Sequence, residues 1–218
     1  MRSLEITVPV GGFKLRGNLN IPDNTDSIVI FSHGSGSSRF SPRNQYVAEI
    51  LNKKNIATLL VDLLTEDEDQ IYGNRFNIEM LAMRLLAITN YIRLLPEWKD
   101  MAIGYFGAST GAASALQAAA QLDDDVRAVV CRGGRPDLAA SIELVKAPVL
   151  LIVGSLDPVV IELNERAYAL LHGEKRIEIV KGASHLFEEP GKLDAVAALA
   201  ADWFEKHLLK PKAVHAFL

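Results

Sequence analysis

The chain has 218 residues, enough to bury one large core and better matched to one domain (1–218) than to two. Hydrophobic residues make up 49% and charged residues 23%, a globular balance that excludes extended disorder. The net charge of −4 is mild, which gives no reason to expect a nucleic-acid or anionic-membrane partner, and the single cysteine, Cys131, excludes an intramolecular disulfide. No run approaches the ~18 uncharged apolar residues of a membrane span. The opening residues MRSLEITVPVGGFKL lack a signal-peptide pattern, so a cytoplasmic protein is the default expectation.

In chain order, Leu4, Ile6 and Val8 alternate, then Phe13, Leu15, Leu19 and Ile21, with Gly11-Gly12 between them. Period two around a Gly-Gly turn predicts an antiparallel hairpin, and Pro9 places an edge or strand end there. Short apolar runs follow at 27–32, 56–61, 101–106, 126–131, 148–153 and 176–181. Such runs predict strands buried on both faces of a parallel sheet. Stretches of helical length separate them. Residues 77–95 set Ile78, Leu81, Leu85, Ile88 and Ile92 on one side, and 110–122 are rich in alanine. Residues 190–209 open with Pro190 near the first turn and carry Leu193, Val196, Leu199, Trp203, Phe204 and Leu208 inward. The acidic segment 62–76 reads as a solvated loop on the sheet's C-terminal edge, and 209–218 as a loose tail. The expected fold is therefore α/β: a mostly parallel sheet with an N-terminal antiparallel hairpin, helices on both faces and no separate lid domain.

The sharpest chemical signal is Gly107-Ala108-Ser109-Thr110-Gly111. It follows an apolar run and opens an alanine-rich helix, the context of a nucleophilic serine on a tight strand-to-helix turn. The alternative is a glycine-rich turn with an incidental serine. A serine hydroxyl needs a base. Of the five histidines, His207 falls on the last helix, His215 in the tail and His172 in a polar turn. His185, in GASHLFEE after the last strand, has the position and chain order of the base. Asp157, in GSLDP, is the preferred carboxylate to orient it, with Asp137 in RGGRPDL as runner-up. The oxyanion donors expected are the backbone amides of Thr110 and Ser35, the latter in the loop His33-Gly34-Ser35-Gly36-Ser37-Ser38, with His33 supporting that loop. A phosphate cradle is the rival reading of this loop. It lacks the P-loop lysine, and Arg39 stands where a dinucleotide fingerprint needs glycine. The cysteine and histidines lack zinc-site spacing. Arg39, Arg132 and Arg135 are candidate contacts to an anionic group on a small substrate; the alternative is that they tie loops together, for example through Asp137.

Together the HG loop, the G-x-S-x-G elbow, the Asp of GSLDP and the His of GASH resemble the α/β-hydrolase superfamily. The small size without an inserted lid is similar to its dienelactone-hydrolase-like branch, as are FSHGSGSSRFSPRN and RGGRPDL, over about residues 5 to 208. Dienelactone hydrolases use a cysteine nucleophile, whereas this elbow carries Ser109. The resemblance therefore implies hydrolysis of a small carboxylic ester through an acyl-enzyme, without metal or organic cofactor, and argues against dienelactone itself. Thioesters and small amides share that chemistry, and a non-catalytic binding module on the same fold is the remaining alternative.

Overall fold

The computed structural model describes residues 1–209; the expected tail from 210 onward and His215 lie outside the described residues. Eight strands form one sheet: β1 (Arg2–Val10), β2 (Phe13–Ile21), β3 (Ser27–Ser32), β4 (Ala57–Val61), β5 (Ala102–Ala108), β6 (Val126–Arg132), β7 (Val149–Gly154) and β8 (Lys175–Val180). Their order across the sheet is β1-β2-β4-β3-β5-β6-β7-β8. The β1–β2 hairpin and the β2–β4 pair are antiparallel, and every later pairing is parallel. Pro9 sits on β1, the outermost strand, where the missing amide breaks no interior ladder.

The helices are α1 (Pro42–Lys53), α2 (Glu66–Asp69), α3 (Ile78–Leu94), α4 (Thr110–Ala119), α5 (Pro158–Leu170) and α6 (Lys192–Leu208). Strand residues alternate between two cores. Ile28, Ile30, Leu59, Ile103, Tyr105, Val129 and Leu151 face α3 and α4, while Val29, Phe31, Phe106, Val130 and Ile152 face α1 and α6. Burial on both faces explains why these strands read as unbroken apolar runs. All five apolar positions expected on the inner side of α3 are buried. On α6, Val196, Trp203, Phe204 and Leu208 are buried, whereas Leu193 and Leu199 are partly covered.

Two expectations need correction. Pro190 does not lie in the first turn of α6: Gly191, at φ 75°, is the N-cap, and the helix begins at Lys192. The acidic segment 62–76 is also more than a solvated loop. Thr65 and Glu68 form a reciprocal capping box at α2. The Glu68 carboxylate receives both terminal nitrogens of buried Arg84 on α3, and Arg84 also donates to the Leu63 carbonyl at 2.6 Å. The charge run is drawn in by a buried cation that lies too far along the chain to be read beside it.

The strand order reverses around β3, which runs between β4 and β5. Open parallel sheets place their ligand crevice at such a switch point, beyond the C-terminal strand ends. Here that point holds the 33–38 loop after β3 and the turn after β5.

Candidate active site

Ser109 joins β5 directly to α4 with φ 52° and ψ −121°. This backbone conformation is unfavourable for a side chain with a Cβ, costing about 1–3 kcal/mol, and persists only where the surroundings enforce it. The flanking glycines show how they do. A Cβ at Gly107 would lie 2.5 Å from Ala112 Cα, and one at Gly111 would lie 2.1 Å from the Ser32 carbonyl oxygen. The turn can close only with hydrogen at both positions, so the G-x-S-x-G spacing is a packing requirement. Ser109 N–H donates to the Arg132 carbonyl at 3.1 Å, fastening the elbow to β6.

His185 lies in the loop between β8 and α6. Ser184 N–H donates to both carboxylate oxygens of Glu189 at 3.1 Å, and the Phe187 ring is buried in the α1/α6 core. Phe187 holds φ 57°, a strained value that its buried ring maintains. Asp157 is the N-cap of α5, but its side chain makes no capping bond and remains available. Its Oδ2 lies 2.6 Å from His185 Nδ1, and His185 Nε2 lies 3.3 Å from Ser109 Oγ. With the carboxylate accepting from Nδ1–H, the lone pair of Nε2 faces the serine hydroxyl. The Asp157 side chain is 17% exposed and that of His185 37%, so the serine side of the imidazole can meet a substrate from solvent. Asp137, the runner-up acid, is occupied: Arg135 Nε and Nη2 each bond one of its oxygens at 2.8 Å.

The early loop meets the elbow, though not as expected. Ser35 N–H does not point into open space; it donates to Thr110 Oγ1 at 2.8 Å. His33 uses both nitrogens inside the protein, one donating to the Gly34 carbonyl at 3.0 Å and the other accepting from Leu63 N–H at 3.3 Å. Burial pushes its imidazole below the ordinary histidine range, so it stays neutral and holds the loop.

The three arginines separate. Arg39 is clasped by Asp62, which takes its backbone amide at 2.7 Å as well as its guanidinium, and Glu5 lies 3.4 Å away. Arg135 is spent on Asp137. Both tie loops together, which leaves Arg132. It ends β6 beside the elbow and is 7% exposed, with Nε and Nη1 lacking a partner among the described residues. Burial, and then the neighbouring Arg43, push its guanidinium down to about 10. Sequence reasoning missed the supports of the site. Phe187 and Glu189 brace the histidine loop, and fully buried Asn164 on α5 donates to the Gly134 carbonyl at 2.9 Å. An asparagine on the apolar face of an amphipathic helix was the one available signal.

Compared with known proteins, residues 45–210 match the model of the dienelactone hydrolase family. The chain belongs to that family. It is 52% identical over 95% of its length to the crystal structure of a dienelactone hydrolase from Anabaena variabilis, with a TM-score of 0.92 over 99% of that chain. Est1E from Butyrivibrio proteoclasticus shares the fold at 18% identity, with a TM-score of 0.79 over 93% of this chain and 98% of that one. A Mycobacterium tuberculosis H37Rv protein named "Putative phosphoribosyl transferase" is 52% identical over 212 residues. That match takes in 97% of this chain and 48% of the relative, so the chain spans about half the length of the curated relatives it matches. Among the described residues, no helix is long and apolar enough to cross a membrane.

Proposed function

We propose that this hydrolase-family chain is a serine hydrolase that cleaves small carboxylic esters, as a cytoplasmic enzyme without metal or organic cofactor. The observation that carries the reading is the hydrogen-bonded line Ser109–His185–Asp157, with the serine held at positive φ at the head of a helix. In the mechanism it supports, Ser109 Oγ attacks the acyl carbon while its proton passes to His185 Nε2. Asp157 holds the imidazole and stabilises its charged form. The imidazolium then protonates the leaving alkoxide, and water, activated by the same base, releases the acid. Cys131 is no substitute nucleophile: it is fully buried on β6, and burial pushes its thiol up.

A small substrate fits an elbow that no separate lid domain covers among the described residues. Exposed Leu156 and Leu186, next to the acid and the base, offer apolar contact to an acyl or alcohol group. Arg132 is the proposed contact for an anionic substituent, since Arg39 and Arg135 are already paired. Comparing a neutral ester with its carboxylate-bearing analogue in Arg132→Gln tests this. Selective loss of kcat/KM for the charged ester is expected; equal losses would make Arg132 structural.

Thioesters and small amides are the nearest alternatives, because they pass through the same acyl-enzyme. Phosphoribosyl transfer finds less support. The relatives that carry that name are matched over only 48% of their length, and the 33–38 loop lacks the lysine of a phosphate cradle. A panel of esters, thioesters and amides of graded acyl length, assayed alongside Ser109→Ala, tests the reading. Hydrolysis of none of them would remove it.

A further inference from the structure

The partner of the Ser35 amide changes what the oxyanion site is made of. Ser35 N–H donates to Thr110 Oγ1 at 2.8 Å, and the Thr110 side chain belongs to a residue only 4% exposed. A hydroxyl that accepts one hydrogen bond still has its own hydrogen to give. No acceptor for that hydrogen is found among the described residues. Thr110 is also the first residue of α4, so its N–H has no acceptor within the helix. The amide and hydroxyl of one threonine lie close enough to grip a single oxygen. Here both sit at the positive end of a helix, one residue after Ser109. The bond from Ser35 polarises the hydroxyl and strengthens it as a donor. Gly34 packs the loop closely on the elbow, where a Cβ would lie 3.0 Å from the Ala108 carbonyl oxygen and 3.1 Å from Ser109 Cβ.

We propose that Thr110 acts through its side chain: its Oγ1–H and its own N–H are the two donors to the oxyanion, and Ser35 is a positioning residue behind them. This rests on Ser109 being the nucleophile. As Ser109 Oγ bonds to the acyl carbon, the C=O π pair moves onto oxygen and the serine proton goes to His185. Thr110 shares hydrogen bonds with the oxyanion and transfers no proton. If instead the Ser35 amide served the oxyanion directly, the Thr110 hydroxyl would compete for it. The two arrangements differ in sign.

The test is steady-state hydrolysis of p-nitrophenyl acetate and its thiono analogue by Thr110→Val and Thr110→Ser. The valine variant should lose about a hundredfold or more in kcat, the usual loss for one oxyanion donor, with little change in KM. The serine variant should stay near wild type. The preference for the oxygen ester over the thiono ester should shrink in Thr110→Val, since sulfur is a poor acceptor and a merely structural defect would slow both alike. Turnover equal to or above wild type in Thr110→Val would overturn the proposal. So would an equal loss in Thr110→Ser, or equal slowing of the two esters. Thr110→Ala carries the same test should the valine variant fail to fold. Ser109→Ala in the same assay separates the two readings. Retained turnover there removes the nucleophile, whereas its loss beside an unaffected Thr110→Val removes only the role of Thr110.

Discussion

At the scale of single residues, the site is a contest among carboxylates for partners. Asp157 and Asp137 both follow strands at the same sheet edge, yet only Asp157 is free of an arginine and reaches His185. Asp157→Asn should therefore lower ester turnover by up to roughly ten-thousandfold with the fold intact, as expected when the imidazole takes the wrong tautomer. Asp137→Asn should release Arg135 and cost far less; the reverse ranking in kcat would show that the acid has moved. The backbone of Ser109 gives a second prediction. Ser109→Gly removes the proposed nucleophile and also a Cβ from a conformation that glycine adopts readily. Its Tm should rise by a few degrees, the shift that about 1 kcal/mol produces in a chain of this size. A fall in Tm would mean that the elbow stores no strain. Ser109, His185 and Asp157 were legible because each stands in a short local pattern after a strand. The fate of Arg39 was not, since Asp62 and Glu5 lie 23 and 34 residues away and nothing in the loop announces them.

At the scale of elements, the elbow depends on two close approaches, Gly107 on Ala112 and Gly111 on Ser32. The helix α4 begins against the end of β3, and Gly111 is the point of contact. Gly111→Ala would drive its Cβ into the Ser32 carbonyl, so α4 must shift away from the elbow. Such overpacking costs roughly 1–3 kcal/mol, and the turn that aims Ser109 moves with it. Loss of activity together with a Tm lower by several degrees is the expected result; an active variant that melts like wild type would contradict the packing account. The strands were readable from apolar runs, because burial on both faces erases alternation; their order across the sheet was not. α2 was not. It is four residues long, and it stands because Glu68 bonds both Thr65 and Arg84, while Arg84 also bonds the Leu63 carbonyl. Hydrophobic periodicity carries no trace of such a polar arrangement.

At the scale of the whole molecule, the Glu68–Arg84 pair links the 62–76 segment to α3, and the Arg84 guanidinium holds the Glu68 carboxyl down at about 2. A carboxylate whose folded value lies below its unfolded one stabilises the fold above the unfolded value and loses that contribution as pH falls toward the folded one. The contribution should therefore be full above about pH 4.5 and disappear toward about pH 2. Chemical denaturation of wild type and Glu68→Gln across this range should show a difference that narrows as the acid limb is descended; a constant difference would separate the pair from the acid transition. The central proposal, which rests on the hydrogen-bonded line of three residues, is that Ser109 is a nucleophile activated by His185. The most direct measurement is intact-mass and peptide analysis after incubation with a fluorophosphonate. A single stoichiometric adduct on Ser109 is expected, absent from Ser109→Ala and slowed by orders of magnitude in His185→Ala. A folded wild-type protein that stays unlabelled, or is labelled at another residue, would contradict it.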